Sequence, residues 1–489
     1  MATQPKREPR TEPARATEGM LYEQVAQKLH EQVTNGVYRQ GERVPSVRRL
    51  SDQLEVSIST VIEAYRRLES QGVLEARPQS GYYVRARLWQ PPAQPEISKP
   101  PCSPTSVSVS ALALKVLRAS REPDVLQLGV AVPHTSLLPI KQLNGILARI
   151  ARRDAGRGGG GYDFPPGSPE LRRQIARRAL DAGCTLSPED IVTTSGCQEA
   201  LSLCLRAVAK SGDTVAIESP AFYGTLQTIE QLRMKAIEIP TCPRRGISIE
   251  ALELALDRWK VKACMLVPNF SNPTGALMPE ERKKRLVQLL AEREVPLIED
   301  DIYGDLSHRA PRPKAAKSYD RKGLVMLCSS FSKTLAPGYR VGWVVPGRWR
   351  EQIEHLKYIN TMATATLPQL AIAEFLERGG YDHYLRKVRA QYAQGVERMT
   401  HAVSRYFPDG SRVTQPTGGF VLWVELPKQV DALELHRRAL ARKILIAPGG
   451  LFSPKQAYRH CIRLTCAVPW DERLDRALVT LGRLAEELT

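Results

Sequence analysis

Residues 329–343 read SSFSKTLAPGYRVGW, with Lys333 near the centre. The run Leu324–Leu327 before this stretch and the run Val341–Val345 at its end are short and apolar. Such runs predict strands. We therefore expect Lys333 to lie just past the carboxyl end of a strand. In open α/β sheets, ligands bind at that edge.

Upstream of this stretch, further β-rich runs alternate with amphipathic stretches of helical period. The predicted strands are Thr214–Glu218, Ala263–Val267 and Val295–Glu299, and the predicted helices include Gln198–Lys210 and Glu280–Arg293. Alternation of this kind indicates an α/β domain with a largely parallel sheet. The polar residues that follow its strands are therefore expected to meet at one edge.

Several other residues that can carry chemistry fall near the ends of predicted strands. NFSNPTG, residues 269–275, contains Asn272; Asp300 follows 28 residues later, with Tyr303 three residues beyond; and Arg340 follows Lys333 by seven. Each motif alone is weak, since an Asn-Pro turn, a capping aspartate or a surface lysine explains it equally well. Their order and spacing together indicate one ligand site.

This set resembles the fold-type I aminotransferases from about Leu126 to the C-terminus. The resemblance implies pyridoxal 5′-phosphate as cofactor, with Lys333 as the catalytic lysine that attaches to it as an imine. It implies that Asp300 pairs with the ring nitrogen and that Asn272 and Tyr303 donate to the ring 3′-oxygen. Phe222, in ESPAFYG at 218–224, matches the aromatic residue that stacks on the ring.

The cofactor phosphate needs donors and positive charge. Ser195-Gly196-Cys197 precedes a predicted helix, so the N–H groups of Gly196 and Cys197 and the helix dipole can hold a dianion. By resemblance, Ser330 and Arg340 are further phosphate ligands. Two features depart from the family pattern. Cys197 stands where Ser, Thr or Ala is common, and the segment GGYDFPPG differs from the usual Y-G-D-P-x-G.

Two further residues are assigned by the same resemblance. Tyr162, in GGYDFPPGSPELR at 160–172, matches a tyrosine that reaches the phosphate from the neighbouring subunit, which implies a head-to-tail homodimer. Arg463, in CIRLTC at 461–466, alternates with apolar neighbours and so points away from them on a strand. It matches the arginine that grips a substrate carboxylate through two hydrogen bonds.

The N-terminal region shows a different pattern. Leu21, Val25, Leu29 and Val33 form a helical stripe that ends at Gly36. Ser46 and Ser57 are placed to cap a second and a third helix. Val73–Arg77 and Tyr82–Val84 then predict two strands around a turn. Three helices followed by a hairpin are typical of a winged helix-turn-helix.

The residues of this region resemble the GntR-type regulators. They read VPSVRRLSDQLEVSISTVIEAYRRLESQG at 44–72 and VLEARPQSGYYV at 73–84. The third helix is then expected to enter the major groove of double-stranded DNA. The expected DNA contacts are Arg48 and Arg49 on the second helix, Ser59 and Thr60 on the third, and Gln79, Ser80 and Gly81 in the wing. Ile58 replaces the arginine usual in the V-S-R motif, which removes one expected contact.

The stretch PPAQPEISKPPCSPTS, residues 91–106, holds six prolines in sixteen positions. It predicts a semi-extended spacer. The chain is therefore divided into a winged helix-turn-helix at 18–87, a linker at 88–120 and a cofactor-binding domain at 121–489, with a small subdomain from about 380. The fold class is multidomain: a winged helix-turn-helix and an α/β fold-type I transferase with a large, mixed, mostly parallel sheet.

Composition limits the remaining function classes. The net charge of +18 suits a polyanion partner, but residues 18–90 hold ten Lys/Arg against nine Asp/Glu, so charge does not locate the contact. Nine cysteines lack C-x-x-C spacing, which disfavours a disulfide framework or a zinc site. The chain has no apolar run of about 18 residues and no secretory signal. We expect a cytoplasmic protein without metal or membrane association.

A GntR-type winged helix joined to a fold-type I domain resembles the MocR-like transcriptional regulators. The leading hypothesis is a DNA-binding regulator that senses pyridoxal phosphate or its adduct with a small amine or amino acid. The alternative is an active aminotransferase with an accessory DNA-binding module, because every residue needed for transamination is present. A purely structural dimer scaffold is disfavoured by the complete cofactor set.

Overall fold

A computed structural model describes residues 20–39, 41–77, 80–85, 91–122, 124–153 and 161–489. The chain divides into two compact units. The first ends at Gln90 and the second begins at Pro91.

The first unit has three helices and a hairpin: α1 (Leu21–Thr34), α2 (Val47–Leu54), α3 (Ile58–Ser70), β1 (Leu74–Arg77) and β2 (Gly81–Val84). The predicted caps are confirmed, because Ser46 Oγ accepts the N–H of Arg49 and Ser57 Oγ accepts the N–H of Thr60. β1 and β2 are antiparallel. The winged helix-turn-helix predicted from the sequence is therefore the fold of this unit.

The core of the first unit lies between α3 and the other elements. Val61, Ala64 and Tyr65 on α3 are fully buried, and the Tyr65 hydroxyl donates to the carbonyl of Pro45 at 2.6 Å. Full burial of a side chain as large as Leu68 contributes about 1.5–3 kcal/mol. This core fixes α3 relative to α2, so the exposed first turns of both helices have defined positions.

The second unit contains twelve α-helices among the residues that the structure describes. They are α4 (Ser110–Ala119), α5 (Ile140–Arg153), α6 (Pro169–Ala179), α7 (Cys197–Val208), α8 (Tyr223–Gln231), α9 (Ile249–Arg258), α10 (Glu280–Glu292), α11 (Arg350–Thr361), α12 (Thr366–Glu377), α13 (Gly380–Tyr406), α14 (Ala432–Leu440) and α15 (Glu472–Glu486).

Its strands form one large sheet and two smaller ones. They are β3 (Thr105–Ser106), β4 (Leu126–Gln127), β5 (Val192–Thr194), β6 (Thr214–Ser219), β7 (Lys235–Cys242), β8 (Gly246–Ile247), β9 (Val261–Leu266), β10 (Leu297–Asp300), β11 (Val325–Ser330), β12 (Gly342–Val345), β13 (Arg412–Val413), β14 (Val421–Glu425), β15 (Ile444–Leu445), β16 (Ala447–Pro448) and β17 (Cys461–Thr465). The predicted strands and helices of this region are thus present, with bounds shifted by up to three residues.

The large sheet has the order β3-β7-β6-β9-β10-β11-β12-β5, with β8 beside β7. The pairs from β7 to β11 are parallel. β12 is antiparallel to both β11 and β5, so β5 runs in the same direction as β11. The carboxyl ends of β5, β6, β9, β10 and β11 therefore lie along one edge, as the sequence predicts.

A second sheet has the order β13-β14-β17-β16 and is antiparallel throughout. One of its faces contributes Leu422, Val424, Ile462 and Leu464 to a core shared with α13, α14 and α15. Arg463 alternates with these apolar residues on β17. Its side chain consequently points away from this core.

The proline-rich segment, predicted as a semi-extended spacer, is hydrogen-bonded to the second unit. From Pro91 onward it belongs to the second unit, while residues 88–90 lie outside the described part of the chain. The N–H of Val413 donates to the carbonyl of Ala93, and Ser98 exchanges two hydrogen bonds with Thr241. Prolines lack N–H groups, so the segment makes few ladder bonds, but its serines and carbonyls still bind the second unit.

Within the described ranges, no helix is both long and apolar enough to cross a membrane.

Candidate functional site

A cavity of about 130 Å³ lies at the carboxyl edge of the large sheet. Its walls come from segments that follow β5, β6, β9, β10 and β11. The lining residues are Cys197, Gln198, Leu201, Phe222, Val267, Asn272, Asp300, Ile302, Tyr303, Ser330, Ser332, Lys333 and Arg340. The parallel strand direction thus brings together residues that are far apart in the chain.

Lys333 lies between β11 and β12. Its Nζ donates to the carbonyl oxygen of Ala131 at 2.6 Å. Burial, together with the positive charge of Arg463, lowers the pKa of Lys333 to about 8. A larger fraction of the amine is therefore neutral near pH 7 than for an ordinary lysine. Only the neutral amine can attack a carbonyl carbon.

Asp300 is the last residue of β10. Its Oδ1 accepts the N–H of Ile302 at 3.1 Å and the thiol of Cys197 at 3.5 Å. Burial raises the pKa of Asp300 to about 6, although both hydrogen bonds act in the opposite direction. A buried carboxylate of this kind is stabilised by a cationic partner.

Arg463 joins the second sheet to this site. Its side chain is completely buried, and its Nη1 donates to Asn272 Oδ1 at 3.3 Å. Nη2 donates to the carbonyl of Gly129, while Nε has no hydrogen-bond partner among the described residues. Asn272 Nδ2 in turn donates to the Tyr303 hydroxyl at 3.4 Å. A buried guanidinium without a carboxylate partner is suited to bind an anionic group.

The turn before α7 has the features of an anion site. Gly196 has φ +93°, and a Cβ there would lie 2.4 Å from Arg340 Nη2. That Nη2 donates to the carbonyl of Ser195 at 2.9 Å. The first N–H groups of α7 have no acceptor within the helix, and the helix dipole adds partial positive charge. Ser330 lies buried in the same cavity wall.

The aromatic residues predicted for the site occupy different environments. Phe222 lines the cavity, as its predicted stacking role requires. Tyr162 does not; its side chain is 70% exposed, and its ring lies 5.5 Å from that of Phe164. The ring of Phe164 in turn lies 5.9 Å from the ring of Tyr358, measured between ring centroids. Within one chain, therefore, Tyr162 is not brought to the other site residues.

The cavity fits the cofactor that the sequence implies. It offers an amine of lowered pKa, a buried carboxyl group, an aromatic face, and a glycine turn at a helix N-terminus beside an arginine. A side chain at position 196 would fill the turn, and the unpaired Nε of Arg463 leaves capacity for a further anionic group. Pyridoxal phosphate carries groups complementary to each of these features.

Sequence reasoning missed several residues of the site. Ser332 lies inside the stretch 329–343 and Gln198 directly after the turn at 195–197, so their positions could have drawn attention to both. Val267 and Ile302 follow buried strands and supply apolar surface. The Ala131 carbonyl that holds Lys333 is 202 residues away from it and carries no sequence signal.

In the first unit the predicted DNA-contacting residues of α2 and α3 lie at helix N-termini. Arg48 and Arg49 are exposed on the first turn of α2. On α3, the Ser59 and Thr60 hydroxyls are hydrogen-bonded to Ser57 Oγ at 2.8 and 2.7 Å. Ile58 is 49% exposed there, which places an apolar side chain where the family carries an arginine.

The wing is described only in part, because Gln79 lies outside the described residues. Ser80 Oγ shares a 2.6 Å hydrogen bond with the Tyr83 hydroxyl. Gly81 has φ +105° and lies against the guanidinium of Arg43, which a Cβ at Gly81 would approach within 3.2 Å. Sequence reasoning did not select Arg43. Its isolated position before α2 gives no sign that it meets the wing.

Comparisons with known proteins agree with this architecture. Residues 123–481 match the family Aminotransferase class I and II, and residues 21–84 match Bacterial regulatory proteins, gntR family. The chain is 41% identical to the uncharacterized HTH-type transcriptional regulator YjiR of Escherichia coli, covering 94% of this chain and 98% of that protein. It is also 41% identical to the E. coli regulator YdcR, with coverage of 95% and 99%.

Among solved structures, the second unit is similar to LysN, an α-aminoadipate aminotransferase of Thermus thermophilus complexed with N-(5′-phosphopyridoxyl)-L-leucine. The TM-score is 0.70 at 29% identity, covering 78% of this chain and 99% of LysN. The matches therefore extend over both the helix-turn-helix and the cofactor-binding unit.

Proposed function

The chain belongs to the class I and II aminotransferase family, with a gntR-type helix-turn-helix joined to it, and from this premise we propose that it regulates transcription in response to pyridoxal phosphate. The sensed species is the cofactor itself or its adduct with a small amine or amino acid. One observation carries the proposal: a helix-turn-helix with exposed arginines occurs in the same chain as a cavity lined by Lys333, Asp300 and most of the other proposed cofactor contacts.

The roles of the cavity residues follow from their chemistry. Bound pyridoxal phosphate supplies an aldehyde that condenses with amines and a ring that withdraws electrons. Lys333 presents the amine for covalent attachment, and Asp300 provides the negative charge that pairs with the ring nitrogen. Asn272 and Tyr303 are donors for the ring oxygen, while Phe222 supplies an aromatic surface. Gly196, Cys197, Ser330 and Arg340 hold the phosphate.

Arg463 makes the site selective for carboxylates. Its guanidinium is buried and bonded to Asn272, which fixes its orientation, and it makes no salt bridge to a carboxylate among the described residues. A bound amino acid would satisfy it with a charge-assisted pair of hydrogen bonds. An amine without a carboxylate would leave the guanidinium unpaired. We therefore propose amino acids, rather than simple amines, as the preferred effectors.

For DNA recognition we propose the contacts predicted from the sequence. Ser59 and Thr60 lie at the end of α3 that enters the major groove in helix-turn-helix proteins. Arg48 and Arg49 are placed for phosphate or guanine contacts. Ser80 and Gly81 of the wing lie along the DNA backbone, and we add Arg43 because its guanidinium lies against Gly81.

We also propose a head-to-tail homodimer. Tyr162, Phe164 and Tyr358 form a chain of partly or largely exposed aromatic rings, with Ile359 and Met362 exposed nearby on or just after α11. Exposed apolar groups of this kind mark interaction surfaces. Coexpressing a Tyr162→Ala chain with a Lys333→Ala chain should restore roughly a quarter of the cofactor-competent sites, because each site draws on both chains. No restoration in confirmed heterodimers would exclude the shared site.

The alternative function, an active aminotransferase, is favoured by the presence of Arg463 and of every cofactor ligand. Two assays on one preparation separate the functions. The first follows the absorbance of the bound cofactor during titration with amino acids. The second follows transfer of the amino group to a 2-oxo acid. A regulator shows saturable spectral changes without sustained turnover, together with altered affinity for a DNA site selected from random duplexes. Sustained turnover with unchanged DNA affinity would favour the enzyme.

A further inference from the structure

Behind the turn that precedes α7 lies a buried ion pair that the proposed cofactor contacts do not use. Lys357 of α11 donates from Nζ to Glu199 Oε2 at 2.8 Å. Their side chains are only 1% and 9% exposed. Thr361 completes the cluster, because its hydroxyl donates to Glu199 Oε1 at 2.6 Å and accepts from Lys357 Nζ at 2.8 Å.

Glu199 connects this cluster to the turn itself. Its Oε2 accepts the backbone N–H of Ser195 at 2.6 Å. On the other side, the Ser195 carbonyl accepts from Arg340 Nη2 at 2.9 Å. The backbone of Ser195, directly before Gly196, is therefore held at both its N–H and its C=O. Gly196 also packs closely against Gly342, since a Cβ at Gly342 would lie 2.5 Å from the Gly196 carbonyl carbon.

The charges of the cluster explain why Glu199 needs a partner. A carboxylate that bonds to a phosphate-binding turn repels a dianion there unless a cation neutralises it. Lys357 supplies that cation. Burial lowers the pKa of Lys357, while its hydrogen bond to Glu199 raises it. Breaking such a buried pair by removing one partner leaves an uncompensated charge, which is more costly than removing both.

We propose that Glu199 and Lys357 are positioning residues for the cofactor phosphate. They fix the turn at 195–197 without contacting the cofactor, and Lys357 cancels the charge that Glu199 brings to it. This inference rests on the proposed cofactor site. It predicts opposite effects for the two residues: loss of Lys357 weakens phosphate recognition, whereas loss of the Glu199 charge preserves or strengthens it.

The test compares pyridoxal phosphate with pyridoxal, which lacks the phosphate, in absorbance titrations of the full-length protein. The ratio of the two dissociation constants measures how much the phosphate group contributes to binding. Lys357→Met should lower the preference for pyridoxal phosphate by roughly tenfold or more. Glu199→Gln keeps an acceptor for the Ser195 N–H and should not lower the preference for pyridoxal phosphate. The double variant should regain most of the preference. Lys322→Met, which removes an exposed lysine paired with Glu294, is the control and should match the parent.

A pair with only a structural role would weaken both ligands by the same factor in both single variants, and the double variant would regain nothing. That result overturns the inference. A thermal melt of each variant reports folding, and if Lys357→Met does not fold, Glu199→Gln decides alone: a reduced preference contradicts the proposal. Failure of the parent to bind either ligand would refute the cofactor site itself, which is a distinguishable outcome.

Discussion

In the first unit, the side chains proposed to meet DNA are mostly exposed, and all lie between Arg43 and Gly81. In the second unit, most of the proposed cofactor ligands are buried, and they come from positions as distant as Gly196 and Arg340, with Arg463 beside them on a separate sheet. Burial shifts the pKa of Asp300 and Lys333. A solvated contact is replaceable by water, whereas a buried group depends on its neighbours. Substitutions should therefore have larger effects in the second unit.

The largest expected effect is at Lys333. Replacing it with alanine removes the amine that attaches the cofactor, so the covalent link that borohydride reduces should be lost completely. Mass spectrometry of the reduced protein measures this directly. Lys322→Ala, a change of an exposed lysine, serves as the control. A reduced Lys333→Ala protein that still carries cofactor would place the attachment elsewhere.

Asp300→Asn should stabilise the fold at high pH and at the same time weaken cofactor binding. Because burial raises the pKa of Asp300 to about 6, the folded protein holds this proton at pH values where the unfolded chain has lost it. The carboxyl group therefore destabilises the fold increasingly as pH rises from about 4 through 6. Relative to the parent without cofactor, Asp300→Asn should be about equally stable at pH 4 and more stable by about 3 kcal/mol at pH 8.

Urea denaturation at the two pH values measures this difference, and cofactor titration at pH 8 should show weaker binding by the same variant. The neutral amide keeps the shape of the carboxyl group and an acceptor for Ile302. A variant destabilised equally at both pH values would mean that packing, not charge, dominates at this position.

Arg463→Met should weaken amino-acid binding by about 1.5–3 kcal/mol, the range for a hydrogen bond to a charged group. Binding of an amine without a carboxylate should change much less. Spectral titration with an amino acid and with its decarboxylated amine measures the two affinities on the same protein. Equal losses for both ligands would remove the proposed role of Arg463 in carboxylate recognition.

In the first unit the effects should be smaller. Arg48→Ala should weaken DNA binding by about 1 kcal/mol at every sequence and reduce the slope of the salt dependence by about one. Lys28→Ala, which removes an exposed charge from α1, is the matched control. Fluorescence anisotropy across a salt series measures the DNA affinity and the salt dependence of both variants. Identical slopes for Arg48→Ala and the parent would exclude this contact.

The smallest expected effect is a gain in DNA affinity. Ile58→Arg restores the arginine of the family motif at an exposed position, so DNA affinity should rise by less than about 1 kcal/mol. The gain is limited because a cation is unfavourable near a helix N-terminus. The same anisotropy assay applies. Weaker binding by this variant would indicate that Ile58 itself makes a favourable contact.

Local chemistry determined what the sequence could predict. Short motifs predict the helix caps Ser46 and Ser57, and they also predict Asn272 and Asp300 near strand ends. The parallel sheet then brings these strand ends together. Long-range pairing was not predictable. Lys357 and Glu199 are 158 residues apart, and nothing near either one indicates its partner. The docking of the proline-rich segment through Ser98 and Thr241 likewise depends on tertiary structure, since composition alone predicts a spacer.

The cofactor site of the proposed regulator must control DNA binding. A ligand can shift this equilibrium only if it binds one state of the protein more tightly than another. The coupling must also be reciprocal, and allosteric couplings are typically about 5–150-fold. The decisive measurement is a pair of titrations with a selected DNA site: DNA affinity with and without pyridoxal phosphate, and cofactor affinity with and without DNA. A cofactor-responsive regulator gives the same ratio, different from one, in both titrations. Two ratios equal to one would contradict this function.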